Sequence, residues 1–355
     1  MLKERFKQYA GTLSGGQQQM LAIARGLGRL MLTKHLPRIH LAYLPTPLDE
    51  LPRLTQALGG PRLLIKRDDQ TGLASGGNKA RKLEFTVAEA LRQGADTLIT
   101  VGGVQSNHCR QTAAAAARSG LRCAVVLRGH APAAWNGNLL LDHLLGAQVV
   151  FAGDRTREEV AEEVAKEQQV AGHHPYFIPV GASNEIGAVG FVAALEELDG
   201  QLKERQLHVD RVVFASSSFG TQAGLCVGAK AIGFKSQLAA IAIDSQRQEV
   251  QAGVADIARP AIRRLGLEMS FAPEEVIAYD GYLGAGYAIM GEPEKEAIYL
   301  MARYEGILLD PVYTGRAMAG LIDLIRKGEF GKDETILFWH TGGSAALFAY
   351  AEQLM

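Results

Sequence analysis

From about residue 60 onward, short apolar runs alternate with longer stretches whose apolar positions recur at helical spacing. Thr97 to Val101 is a continuous β-branched and apolar run. A Gly-rich turn follows it, then an Ala-rich helical stretch from Cys109 to Ser119. Cys123 to Leu127 repeats the strand pattern, and Asn138 to Leu145 repeats the helical one. Further strands are predicted at Gln148 to Phe151, Tyr176 to Val180, Val212 to Ala215, Leu238 to Ile243 and Ile336 to Trp339. Continuous apolar strands separated by helices predict parallel sheets covered on both faces. The expected fold class is α/β, of doubly wound architecture. Ligands of such sheets sit beyond the carboxyl ends of the strands. The Gly-rich turns fall there, at Gly102-Gly103, Ser216 to Gly220 and Gly342-Gly343.

The chain has 355 residues, enough for a large core and two lobes. Lys and Arg number 37 against 38 Asp and Glu, a formal charge of −1. Without a broad basic face, nucleic acid is not an expected partner. No apolar run reaches membrane-spanning length, and the short apolar stretch from Met20 to Ala24 does not make a secretory signal. The three cysteines, Cys109, Cys123 and Cys226, match no zinc or redox spacing. No metal is expected, and a reduced, cytoplasmic protein fits this cysteine usage.

Residues 75–84 read SGGNKARKLE, after the charged stretch Ile65-Lys66-Arg67-Asp68-Asp69. Two glycines let the backbone approach a flat ligand. A lysine at a helix start can form a Schiff base with an aldehyde if its amine sheds its proton. Taken alone, Asn-Lys-x-Arg-Lys also suits a solvated helix face, and Lys82 is as well spaced as Lys79. Residues 105–108, Gln-Ser-Asn-His, lie in a strand-to-helix turn whose amides can hold a carboxylate, although plain Ser/Asn capping accounts for them too. Residues 216–224, SSSFGTQAG, form another such turn, with hydroxyls and small residues suited to a phosphate or to a simple cap. His-Thr-Gly-Gly at 340–343 closes the last predicted strand.

Together these four segments closely resemble the 1-aminocyclopropane-1-carboxylate deaminase/D-cysteine desulfhydrase family of pyridoxal-phosphate enzymes. The likeness extends from about Pro37 to the C-terminus. It includes Leu-Pro-Thr-Pro-Leu at 44–48 and Gly-Asn-Leu-Leu-Leu-Asp at 137–142. The resemblance implies a two-lobed fold-type II architecture, tryptophan synthase β-like, with parallel-rich sheets flanked by helices. A small lobe at 84–185 would be inserted into a large cofactor-binding lobe of 31–83 and 186–355. It implies pyridoxal 5'-phosphate as cofactor, a small amino acid as substrate, and a homodimer.

By resemblance, Lys79 carries the cofactor and handles the substrate's α-proton, with Asn78 at the ring hydroxyl. Ser106, Asn107 and His108 bind the substrate carboxylate, Ser106 close to the reacting carbon. Ser218, Phe219, Gly220 and Thr221 hold the phosphate. Tyr287 and Tyr313 line the reacting side, and Thr314 and Thr341 lie near the pyridine nitrogen. Three positions depart from the family pattern: Phe219 where Gly or Ala is usual, Met290 in place of Pro, and Cys109 after His108. The cyclopropane deaminases carry Glu after the tyrosine of the Val-Tyr motif and Leu after the histidine. A carboxylate beside the ring nitrogen favours the pyridinium, and this sequence has threonines at both places. That pattern is similar to the D-cysteine desulfhydrase branch. The expected reaction is β-elimination from D-cysteine to pyruvate, hydrogen sulfide and ammonia. Elimination of sulfite from L-cysteate comes next, then deamination of the cyclopropane substrate, with a non-catalytic binding protein last.

Residues 13–27, LSGGQQQMLAIARGL, resemble the signature motif of ABC-transporter ATPase subunits. No G-x-x-x-x-G-K-[ST] phosphate loop accompanies them. Residues 1–30 are therefore expected to be an appendage without a nucleotide site.

Overall fold

The computed structural model describes residues 32–355. The 1–30 appendage and its 13–27 motif lie outside the described residues. Two sheets organise the rest. Ten strands are described: β1 (Leu48–Glu50), β2 (Arg62–Arg67), β3 (Thr97–Gly102), β4 (Arg122–Leu127), β5 (Gln148–Phe151), β6 (Pro175–Ile178), β7 (Arg211–Ser216), β8 (Gln237–Ala242), β9 (Ile277–Tyr279) and β10 (Thr335–His340). The larger sheet has the order β1-β2-β10-β7-β8-β9 and the smaller β5-β4-β3-β6. Every pairing is parallel except β1 with β2 at one edge. The α/β fold with parallel-rich sheets is the one expected from the strand pattern.

The central strands are continuously apolar because helices cover both faces. Three strands escape the pattern. In β2, Lys66 is fully buried and paired with Glu197 at 2.6 Å, so a charge occupies a core position. β1 and β9 are three-residue edge strands, too short to show periodicity. β6 ends at Ile178, short of the expected Val180, because Pro179 leads into a turn in which Gly181 has φ +66°.

The helices are α1 (Pro52–Leu58), α2 (Lys79–Arg92), α3 (Asn107–Ser119), α4 (Gly137–Leu144), α5 (Arg157–Val170), α6 (Glu185–Arg205), α7 (Gly220–Ile232), α8 (Arg247–Arg264), α9 (Glu292–Glu305), α10 (Thr314–Arg326) and α11 (Ala351–Leu354). Among them α6 sets the site. Asn184 caps it by accepting the Gly187 N–H at 2.9 Å. Phe191, Val192 and Leu195 bury its apolar side together with Leu225 and Val227 of α7. Gly190 presses on the Arg81 backbone of α2, and Gly224 of α7 presses on the Ala188 carbonyl of α6. A Cβ at either glycine would collide with backbone. This close packing holds the start of α2, which carries Lys79, and the start of α7 against one common helix. Among the described residues, no helix is long and apolar enough to cross a membrane.

Candidate active site

A cavity of about 440 Å³ opens where the carboxyl ends of β3, β7 and β10 meet the start of α2. Asn78, Lys79, Ser106, Asn107, His108, Ser218, Phe219, Thr221, Tyr287, Tyr313 and Thr341 all line it. Segments far apart in sequence thus converge on one chamber.

The structure separates Lys79 from Lys82. Lys79 lies on the cavity wall, with Nζ 3.1 Å from Asn78 Oδ1. Burial lowers its pKa to about 8, opposed by the charge of Asp310. Lys82 is fully buried off the wall. Its Nζ donates to the Gly181 carbonyl at 3.0 Å and to Ser183 Oγ at 3.1 Å. Burial and then the neighbouring Lys79 hold its pKa well below the usual lysine value. The loop before Lys79 is clamped at its ends. Arg81 grips both oxygens of Asp68, at 2.9 and 2.8 Å, and also reaches Glu197. Such a bidentate pair fixes geometry as well as charge.

Ser106 caps α3 by accepting the Cys109 N–H at 3.2 Å. The amides of Asn107 and His108 lie in the first helical turn, where no intrahelical acceptor exists. They are placed to hold a carboxylate. The Asn107 side-chain oxygen is fixed, taking bonds from Asn138 at 2.8 Å and Arg110 at 3.2 Å. The His108 ring faces Thr100 Oγ1 at 2.7 Å and Thr112 Oγ1 at 3.5 Å. Burial drives its pKa far down, so the ring is neutral. What His108 offers a carboxylate is its backbone amide rather than a charged ring. Burial raises the Cys109 thiol well above the usual range, and all three cysteines are free and buried.

The third segment turns from β7 into α7. Ser216 Oγ is buried on this wall without a hydrogen-bond partner. Ser218 Oγ is 2.8 Å from Ser183 Oγ, which in turn receives Lys82. Thr221 Oγ1 accepts from Asn78 Nδ2 at 3.1 Å, joining this turn to the lysine loop. Phe219 has φ +63°, a left-handed conformation costly for a side chain with a Cβ. Its ring packs over Gly253 of α8, where any Cβ would collide with it. Gly220 is not on the cavity wall: its N–H donates to the Ser218 carbonyl at 2.8 Å. Gly220, an expected phosphate ligand, packs tightly against Ser183, where an added Cβ would collide.

Across the cavity the Tyr287 and Tyr313 hydroxyls are 2.6 Å apart. Burial, then Tyr287, raises the pKa of Tyr313 well above 10. Thr341 lines the wall, and its carbonyl accepts the Asn78 N–H at 2.9 Å. Thr314 does not line it. Its hydroxyl donates to Asp310 Oδ1 at 2.7 Å and accepts the Asp310 N–H at 2.8 Å. Of the two threonines expected beside the ring nitrogen, Thr341 lines the cavity and Thr314 is bonded to Asp310.

Several residues at the cavity are not legible in the sequence. Asp310 is buried and takes the N–H groups of Val312, Tyr313 and Thr314 at the start of α10. Asp244, Arg128 and Arg157 line the cavity, and Arg110 braces it from behind. The segment Leu-Asp-Pro-Val-Tyr carried a signal for Asp310, since Asp before a helix start is a common cap.

The fold and chamber set a buried lysine between two strand-to-helix turns of an α/β protein. The pyridoxal-phosphate dependent enzyme family profile matches residues 39–342, and the chain belongs to that family. A crystal structure described as an ACC deaminase homologue is 37% identical, with a TM-score of 0.83. The match covers 91% of this chain and 97% of that one. A pyridoxal 5'-phosphate-dependent aspartate racemase has the same fold, with a TM-score of 0.60 at 19% identity, covering 92% and 95% of the two chains.

The residues present fit pyridoxal 5'-phosphate. The unpartnered Ser216 Oγ and the hydroxyls of Ser218 and Thr221 suit its phosphate. Lys82 lies behind them, and an arriving dianion would favour its protonated form. Asn78 stands beside the amine of Lys79, where the ring would lie.

Proposed function

We propose that this pyridoxal-phosphate enzyme eliminates the β-substituent of a small amino acid, with D-cysteine as the leading substrate. One observation carries the reading. Lys79, the Ser106 turn and the Tyr287–Tyr313 pair share one cavity, so a base, a carboxylate anchor and proton-bearing hydroxyls surround one substrate volume. The bound cofactor supplies an electron sink for the carbanion at the substrate's α-carbon.

The amides of Asn107 and His108 hold the α-carboxylate. Ser106 borders the reacting carbon, and Lys79 takes the α-proton. The β-substituent leaves with its bonding electron pair, as hydrosulfide from D-cysteine. The released 2-aminoacrylate takes up water and yields pyruvate and ammonia. Tyr313 and Tyr287 stay protonated and border the departing group. Thr341 presents a neutral hydroxyl where the cyclopropane deaminases depart from this sequence, which supports elimination over ring opening. L-Cysteate, with sulfite as product, is the second substrate in this reading. The enzyme would work in the cytoplasm as a homodimer. Its inserted lobe near 84–185 would be built on the four-stranded sheet, whose strands span 97–178.

The test is to load the protein with pyridoxal phosphate, add D-cysteine, and assay sulfide and pyruvate together. Equal, enzyme-dependent yields are expected. A cofactor-loaded protein that forms neither product from D-cysteine or L-cysteate rules the reading out.

A further inference from the structure

The cavity holds more positive charge than a phosphate and an α-carboxylate require. The turn at Ser216–Thr221 with Lys82 behind it serves the first anion, and the start of α3 serves the second. Arg128 and Arg157 line the same cavity and have no part in either. Arg128 follows β4 directly, and its backbone N–H donates to the Gly102 carbonyl at 2.9 Å. It therefore starts beside the turn that carries Ser106. Arg157 opens α5, and its charge is felt at the Cys109 thiol. That thiol is packed on Gly102, where an added Cβ would lie 2.5 Å from Cys109 Sγ and 2.6 Å from Ser106 Oγ. Both residues thus border the substrate volume from the side of the smaller sheet.

Neither has a strong partner. The Arg128 side chain makes no hydrogen bond or ion pair among the described residues. Arg157 has Glu158 at 3.4 Å, but that carboxylate is 57% exposed, and such surface pairs contribute little. Among the described residues lining the cavity, the one carboxylate is Asp244. It accepts from Ser217 Oγ at 2.7 Å, and the cation acting on it is Arg316. Arg128 is left at the cavity without a partner, and Arg157 with one exposed partner.

We propose that Arg128 and Arg157 form an anion subsite at the substrate's β-substituent, which stabilises a leaving group that departs as an anion and also binds a sulfonate side chain before reaction. This rests on the reading of the cavity as an amino-acid elimination site and narrows its substrate class. A guanidinium fork matches the oxygens of a sulfonate or carboxylate bidentately. Two forks favour a sulfonate, as in cysteate, while the neutral thiol of D-cysteine engages them only as hydrosulfide departs. When the carbon–sulfur bond breaks, the electron pair leaves with sulfur, as sulfite or hydrosulfide, beside two fixed positive charges.

The test uses the holoenzyme and two ligands without an amino group, 3-sulfopropanoate and propanoate, followed by calorimetry at low ionic strength. Neither can be turned over, so binding is read apart from reaction. The sulfonate is expected to bind at least about tenfold tighter. Arg128→Gln and Arg157→Gln should each weaken it about tenfold and leave propanoate unchanged. Equal affinity for the two ligands overturns the proposal. So do variants that weaken both equally, which would place the arginines on the shared carboxylate. If the sulfonate preference holds while neither cysteine nor cysteate is consumed, the subsite stands and the elimination reading falls. Turnover without the preference has the opposite meaning.

Discussion

Arg110 donates to the Gly76 carbonyl at 2.6 Å, tying the helix that presents Ser106 to the loop that presents Lys79. Its other terminal nitrogen reaches Asn138 at 2.8 Å and Asn107 at 3.2 Å. One buried side chain therefore spaces the base from the carboxylate anchor. Nearby Asp142 has both carboxylate oxygens buried without a hydrogen bond, and burial raises its pKa to about 8. Arg110→Ala strands several buried acceptors and should destabilise the fold by about 2–4 kcal/mol. Arg110→Lys keeps the charge but cannot span both sides of the link. It is expected to retain cofactor while kcat falls about 10–100-fold, the loss typical of a small misplacement. Melting temperature and kcat, measured together, check this; an Arg110→Lys enzyme with unchanged kcat contradicts the positioning role.

Phe219 and Gly253 form a second dependent pair. Gly253→Ala drives a methyl into the Phe219 ring and displaces the turn that suits the phosphate. Overpacking of this kind costs about 1–3 kcal/mol. Affinity for pyridoxal phosphate should fall roughly tenfold in the single variant. Adding Phe219→Gly removes the ring and relieves the φ of +63°, and is expected to restore affinity. Fluorescence titration of the cofactor-free variants reads the result. Failure of the double variant to recover would show that the ring itself holds the cofactor.

The strand runs and the three site turns were legible because each is contiguous: an apolar strand, a turn, then a helix start. SGGNKARKLE, QSNH and SSSFGT carry their chemistry within a few residues. Asp310, Arg110, Asp244, Arg128 and Arg157 were not, because the two strand orders, β1-β2-β10-β7-β8-β9 and β5-β4-β3-β6, bring them together from distant segments. Thr314 shows how little chain adjacency says about facing. It follows Tyr313 and so shared the tyrosine's reading, yet consecutive helical residues point about 100° apart. Tyr313 faces the cavity while Thr314 turns to Asp310. Strand β2 was hidden by Lys66, whose charge is met inside the core by Glu197.

The Tyr287–Tyr313 pair borders the departing group in the proposed reaction. Tyr313→Phe and Tyr287→Phe each remove one hydroxyl from a contact of 2.6 Å. Each should lower kcat about 100-fold with little change in KM, as expected for hydroxyls whose hydrogen bonds stabilise the departing group in the transition state. A KM effect with unchanged kcat would make them binding residues only.

The pH dependence follows from Lys79. Burial lowers its pKa from 10.5 to about 8, so the charged amine is the disfavoured form. Below that value the amine is protonated and cannot take the α-proton. The rate should climb with pH by up to about tenfold per unit below 8 and level off above it. Cofactor-free protein carries the matching stability change. Between about 8 and 10.5 the unfolded chain keeps the Lys79 proton and the folded chain gives it up. Stability therefore rises with pH across that window, and Lys79→Gln should abolish this contribution. Denaturant midpoints of the two proteins, compared from pH 7 to 10.5, measure the difference.

The most direct measurement reduces the cofactor-loaded enzyme with borohydride, digests it, and locates the phosphopyridoxyl group by fragmentation of the modified peptide. The expected result is modification at Lys79, with none in Lys79→Ala. Modification at Lys82, or undiminished modification and turnover in Lys79→Ala, would contradict it.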